Sequence, residues 1–394
     1  MACENVAIWV RATAVAAAAL LTLTPPGVSA ADPFEINAIL SITGSAAFTG
    51  SSMTRTLSII EKQVNATGGI GGRPLHFVVS DDQSSPQVAV QIVTGLIAKH
   101  VPAIIGPALA ATCRASMPLL ENGPVMYCLS PVLYPPTGSY AFVGGASSLD
   151  ETSVLLDYLD RTRGWKRIAL ITPTDATGQE ADNTFNQLLA RPEHHDLQVV
   201  DREHFELTDI SVAAQIARIK ESKPQAIIAW GTGAPMANVY RALLDAGVDL
   251  PVFGSNGNQV YTAMEQWRSI LPRQYYQYAL KWPEYTQLSG GPVKIAMGVM
   301  YSAMKADGVR PDGASVSAWD PAMIVVDAFR KLGTNATAKQ VRDYILNLRD
   351  FSGSNGYYDF RIGNQRGLSA KDCIVVRWDA QKDTWVPVTG VAGK

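Results

Sequence analysis

Short apolar runs alternate with amphipathic stretches along most of the chain. Residues 36–43 form an apolar run closed by Gly44, which predicts a strand. In 51–65, Met53, Leu57, Ile60 and Val64 recur at helical spacing. The run Gly68-Gly69-Ile70-Gly71-Gly72 stops that helix. Residues 75–80 read as a strand ending at Asp81-Asp82, and Val88, Ile92, Leu96 and Ile97 mark the next helix. A strand at 101–105, a helix at 112–120 and a strand at 124–129 follow. Each helix is long enough to cross back over a sheet. That predicts parallel strands with helices on both faces, an α/β fold.

The same units start again after Asp150. Strands are expected at 167–171, 197–200, 225–230 and 251–254, with helices at 178–189, 211–221 and 235–246. Between the two sets, Pro135-Pro136-Thr137-Gly138 and Gly144-Gly145 supply turn chemistry, which fits a crossing between two similar lobes. The last third differs. Helices are expected at 292–305, 321–331 and 338–348, then short strands at 357–360, 374–378 and 384–388. The pattern predicts two doubly wound α/β lobes.

Composition narrows the function. Of 394 residues, 33 are Lys or Arg and 35 are Asp or Glu, a formal charge of −2 with no basic stripe, so no nucleic-acid partner is expected. Arg11 precedes an apolar run at 12–23, Pro25-Pro26-Gly27 breaks it, and Val28-Ser29-Ala30 offers small residues for cleavage. Residues 1–30 therefore read as a signal peptide cut near Ala30, and the protein as periplasmic. The run is too short to span a bilayer comfortably. Cys3 lies before it, which argues against lipoprotein attachment. After cleavage Cys113, Cys128 and Cys373 remain. An oxidising compartment permits a Cys113–Cys128 bridge, while Cys128 also reads simply as a buried strand residue.

Catalytic signatures are missing from the pattern. The glycine run at 68–72 follows a helix and precedes a strand, the wrong order for a phosphate loop. Neither G-x-x-x-x-G-K-[ST] nor G-x-S-x-G occurs, and His194-His195 sits in a charged loop with nothing to complete a metal site. Neither a cofactor nor a metal is expected, and no enzymatic activity.

The strand ends carry the binding chemistry. In open parallel sheets, ligands sit beyond the carboxyl ends of the strands. In the first lobe those ends hold Phe48, then Ala110, Ala111 and Thr112, then Ser130 and Tyr134. In the second they hold Thr177, Trp230, Thr232 and Asn256. Ser, Thr, Asn and exposed backbone amides suit a carboxylate. Phe48, Tyr134 and Trp230 offer rings for stacking.

At these residues the chain resembles the type I periplasmic binding proteins of branched-chain amino acid ABC transporters, the leucine-binding protein-like family. The resemblance rests on Asn65-Ala66-Thr67-Gly68-Gly69-Ile70-Gly71-Gly72-Arg73-Pro74-Leu75, Asp81-Asp82-Gln83-Ser84-Ser85-Pro86, Ile104-Ile105-Gly106-Pro107, Ser130-Pro131 and Trp319-Asp320-Pro321-Ala322. It implies two lobes joined by a three-strand hinge, with crossovers near 143–148, 281–283 and 353–358. The N-terminal lobe would be 31–147 plus 283–353, and the C-terminal lobe 148–282 plus 354–394. Closure around a solute and delivery to an ABC permease by a monomer are implied too, the permease being the only link to the membrane.

The family's ligand contacts carry over unevenly. Ala110 stands where a serine meets the ligand carboxylate, and Tyr134 where a threonine stands. Asn256 replaces the glutamate that pairs with the ligand's ammonium, and Thr177 replaces a tyrosine. A buried ammonium needs an acid, and Asp175 and Asp320 are the candidate substitutes. The expectation is therefore a small carboxylate, with an aromatic organic acid as one form. A branched-chain or other amino acid is the alternative ligand, and a ligand-sensing module for a receptor the alternative role.

Overall fold

The computed structural model describes residues 32–390. The signal-peptide reading, with Cys3, Arg11 and Ala30, lies outside the described residues. The chain opens with β1 (Phe34–Leu40), α1 (Ala47–Ala66), β2 (Leu75–Asp81), α2 (Pro86–Ala98), β3 (Ala103–Ile105), α3 (Ala110–Ser116), β4 (Val125–Cys128) and β5 (Ala141–Val143). These five strands form one parallel sheet in the order β2-β1-β3-β4-β5. Every residue of β3, β4 and β5 is buried, as expected of parallel strands covered on both faces.

After β5 the chain enters α4 (Ser148–Asp157), whose Ser147–Asp150 capping box fixes its start. It continues through β6 (Arg167–Pro173), α5 (Ala176–Leu189), β7 (Gln198–Phe205), α6 (Ala213–Glu221), β8 (Ala226–Ala229), α7 (Met236–Asp245), β9 (Val252–Gly254), α8 (Tyr261–Gln266) and β10 (Tyr275–Leu280). It then returns to the first lobe with α9 (Pro292–Ala306), α10 (Gly313–Leu332) and α11 (Ala338–Leu346). The small hairpin of β11 (Phe351–Ser352) and β12 (Tyr357–Tyr358) leads to β13 (Cys373–Asp379) and β14 (Thr384–Pro387). The second sheet runs β14-β13-β10-β9-β8-β6-β7, with β13 and β14 antiparallel at one edge.

Both sheets repeat one winding. β1 has β2 on one side and β3 on the other, and β6 has β7 and β8 in the same way. Chain direction across the sheet therefore reverses beside β1 and beside β6. A crevice opens at the carboxyl ends of the strands at such a switch point. Strand-terminal loops from both lobes are aimed into one space.

Some elements depart from the sequence reading. β5, α4 and β10 were not among the expected elements. The helix expected at 321–331 starts instead at Gly313, and Pro321 lies inside it. Asp312 explains the earlier start: its carboxylate accepts from Ser315 N at 2.8 Å while Ser315 Oγ receives Asp312 N at 2.7 Å. Pro321 has no N–H to offer the carbonyl of Ser317, and that oxygen lies against Gly144 at the first crossover. Cys113 and Cys128 are joined in a disulfide with Cα atoms 6.0 Å apart, while Cys373 is free and buried. The bridge ties the middle of α3 to the end of β4, two elements that border the crevice.

Candidate functional site

A cleft of about 700 Å³, mouth included, lies between the lobes. The first lobe contributes Thr49 and Met53 of α1, Ala108 to Ala110 beyond β3, and Leu129 to Val132 beyond β4. The second contributes Thr177, Trp230, Thr232, Ser255, Asn256, Gly257 and Tyr278. The opening turn of α10 adds Gly313, Ala314 and Ser317, and the first crossover adds Gly144 and Gly145. No lining residue carries a formal charge. Hydroxyl-bearing side chains from both lobes and the Asn256 amide stand among apolar lining groups.

Of the residues expected from sequence, Ala110, Ser130, Thr177, Trp230, Thr232 and Asn256 line this cleft. Phe48 does not line it. Its ring packs edge-on to Trp267 at 6.4 Å and so presses the first lobe against the second. Ala111 and Thr112 lie on α3 away from the lining, and Thr112 is fully buried, donating to Leu109 O at 3.0 Å. Tyr134 is half-exposed beside α4, where its hydroxyl accepts from Leu149 N at 3.4 Å. Arg366 lies 5.0 Å from the Tyr134 ring centroid. The buried Arg366 donates to Pro131 O at 2.7 Å and also to Leu133 O, which fixes the loop that presents Ser130. Burial lowers the pKa of this guanidinium. Arg366 and Tyr278 escaped the sequence reading. The aromatic run 275–280 is a legible buried strand, but nothing local marks Arg366.

Neither candidate acid faces the cleft. Asp175 caps α5, accepting from Thr177 N at 3.0 Å and Gly178 N at 3.1 Å. Asp320 accepts from Ser354 N, Ser354 Oγ, Asn355 N and Tyr358 Oη, all within 3.0 Å. It anchors the third crossover to α10. Burial still raises its pKa, against the pull of those donors.

Trp230 is 1 % exposed and stacks on Tyr278 at 5.1 Å, so core and cleft share it. Tyr278 Oη donates to Asn256 Oδ1 at 3.1 Å, and Asn256 Nδ2 donates to Glu151 Oε1 at 3.2 Å. Glu151, in the first turn of α4, is 1 % exposed. Burial pushes its carboxyl well above the usual range, opposed by Arg366 and Tyr278.

Direct contacts close the mouth. Thr49 Oγ1 donates to Gly257 O at 3.0 Å, and Ala234 N donates to Ser45 O at 3.2 Å. Gly233 is required there twice over. Its φ is +86°, and a Cβ would stand 2.2 Å from Ser45 O. At the base, Gly313 N donates to Gln259 O at 2.7 Å.

Comparison with known proteins agrees with this architecture. An extracellular ligand-binding receptor from Rhodopseudomonas palustris HaA2 superposes with a TM-score of 0.79 at 18% identity, covering 90% of this chain and 99% of its own. A type 1 periplasmic binding protein from Bordetella pertussis Tohama I gives 0.77 at 22%, covering 90% and 99%. The branched-chain amino acid transporter substrate binding protein LivJ from Streptococcus pneumoniae, in complex with isoleucine, gives 0.76 at 18%, covering 90% and 100%. No curated protein matches this chain in sequence. The family model described as periplasmic binding protein matches residues 33–383. With two lobes wound alike around one cleft, this chain belongs to the periplasmic binding protein family, in its type I fold.

Proposed function

We propose that this protein is the solute-binding component of an ABC importer and captures a small carboxylate, such as an aromatic organic acid, between its lobes. The uncharged lining carries the reading. An amino acid's ammonium would find no carboxylate on the wall, and desolvating it there would cost several kcal/mol. A carboxylate needs only donors, and Ser130, Thr177 and Thr232 offer hydroxyls, while Ser255 and Ser317 give theirs to the carbonyls of Gly231 and Gly313. Trp230 and Tyr278 present aromatic surface beside them. The role is binding, not catalysis.

The lobe division follows the chain crossings: 31–147 with 283–353, and 148–282 with 354–394. LivJ, seen with isoleucine, favours a branched-chain amino acid as the second reading. Thermal-shift measurements with aliphatic and aromatic carboxylates beside leucine, isoleucine and valine separate the two. Stabilisation by at least one carboxylate lacking an amine is expected. Stabilisation by the amino acids alone would overturn the carboxylate reading.

A further inference from the structure

The cleft wall is neutral, yet a carboxyl lies one side chain behind it. Glu151 is enclosed within the second lobe, against Asn256 and Tyr278, both of which line the cleft. Its Oε1 receives the Asn256 amide, and no donor reaches Oε2. The Tyr278 hydroxyl interacts with the same carboxyl, but it has one proton and gives it to Asn256 Oδ1. Ionised, Glu151 would keep a buried charge on one hydrogen bond. Protonated, the carboxyl buries no charge, and its O–H can be given to the oxygen of Tyr278, which already interacts with it. That bond would close the chain: Glu151 to Tyr278, Tyr278 to Asn256, Asn256 back to Glu151. Every member would then donate once and accept once.

We propose that Glu151 is a positioning residue that works as the neutral acid, locking the Asn256 amide and setting the charge preference of the cleft. The inference rests on the cleft being the solute site, as proposed above. With the proton in place the second-lobe wall stays uncharged and admits an anionic ligand end. Without it, a negative charge stands behind Asn256, repelling carboxylates and favouring an ammonium. Charged and titratable groups on or near the elements packed against α4 include Asp150, Glu180, Tyr278, Asp372 and Cys373, with the cations Lys281, Lys371, Arg377 and Arg366. Arg366 is the cation that acts on Glu151 itself, and its guanidinium is engaged with the carbonyls of Pro131 and Leu133.

Two measurements test this. The first uses the protein without ligand, because the Glu151–Asn256–Tyr278 ring lies within one lobe. Infrared spectra of wild type and Glu151→Gln at pH 7.5 should differ by one protonated-carboxyl band, present only in wild type. No such difference overturns the proposal. The second uses 3-phenylpropionate and L-phenylalanine, which differ by the ammonium alone. Wild-type affinity for 3-phenylpropionate should fall by up to about tenfold per pH unit once Glu151 titrates. In Glu151→Gln, whose amide can both accept from Asn256 and donate to Tyr278, affinity should be retained and flat with pH. A profile identical in both proteins overturns the proposal. If 3-phenylpropionate and every other amine-free carboxylate fail to bind at any pH, the carboxylate reading falls, and the infrared difference alone decides the state of Glu151.

Discussion

At Glu151 the fold holds a carboxyl out of water, and the effect on stability has a definite sign. Its folded pKa is raised by burial above the ordinary glutamate value of 4.5. Below that value both folded and unfolded chains hold the proton, and the residue contributes nothing to pH dependence. Above it the unfolded chain releases the proton while the folded one keeps it, so stability falls as pH rises. Glu151→Gln should therefore melt higher than wild type at pH 8, with the two curves converging near pH 4, as calorimetry across that range would show. Little of this was legible in sequence. Asn256 was identified as the neutral replacement for an acid, but its partner lies 105 residues away and belongs to a helix whose capping box, Ser147 to Asp150, went unread. Tyr134 failed differently. It follows Ser130 closely along the chain, yet the loop carries it out to α4 and away from the cleft.

Among the elements, α10 ties the cleft to the first lobe and to a crossover. Its first turn lines the cleft, its N-cap Asp312 receives Ser52 Oγ of α1 at 2.9 Å, and Asp320 in its middle holds the third crossover. Asp320→Ala would leave two backbone amides and two hydroxyls without their buried acceptor. A loss of about 3 kcal/mol or more is expected in urea denaturation, since each stranded group costs about 1–3 kcal/mol. The regular strand–helix units read well from periodicity, because burial on both faces demands continuous apolar runs. Caps and prolines read unevenly: α9 begins at Pro292 and α11 just after the Thr337 cap, as expected. Pro321 looked like a helix start because proline usually stands there, whereas here it interrupts a helix begun at Gly313. The disulfide acts at this scale too. Closing a loop between positions 15 apart contributes about 3 kcal/mol in the chain-entropy model and pins α3 to β4.

For the molecule as a whole, the solute-binding role proposed above depends on two lobes meeting. The winding of each sheet places its switch point on the shared cleft, and the mouth contacts are short-range and sterically exact in their demand for glycine at 233. Gly233→Ala should fold, yet keep the lobes apart because the added methyl occupies the space of Ser45 O. Its solute affinity should fall by at least about tenfold, because the ligand must then bind without selecting the closed form. Small-angle scattering at saturating solute should show wild type contracting and the variant unchanged. Equal contraction would sink the idea.

The contact between Ala234 N and Ser45 O joins backbone to backbone. No side chain takes part, and neither atom touches the cleft floor. If the role proposed above holds, closure around any solute would form this same contact. A permease reading it would receive one message, "loaded", with no word about the cargo. In the importer role proposed above, solute selection would rest with the side chains of the cleft lining, and the report of closure with this main-chain contact. The lining could then change toward new solutes while the contact stayed as it is.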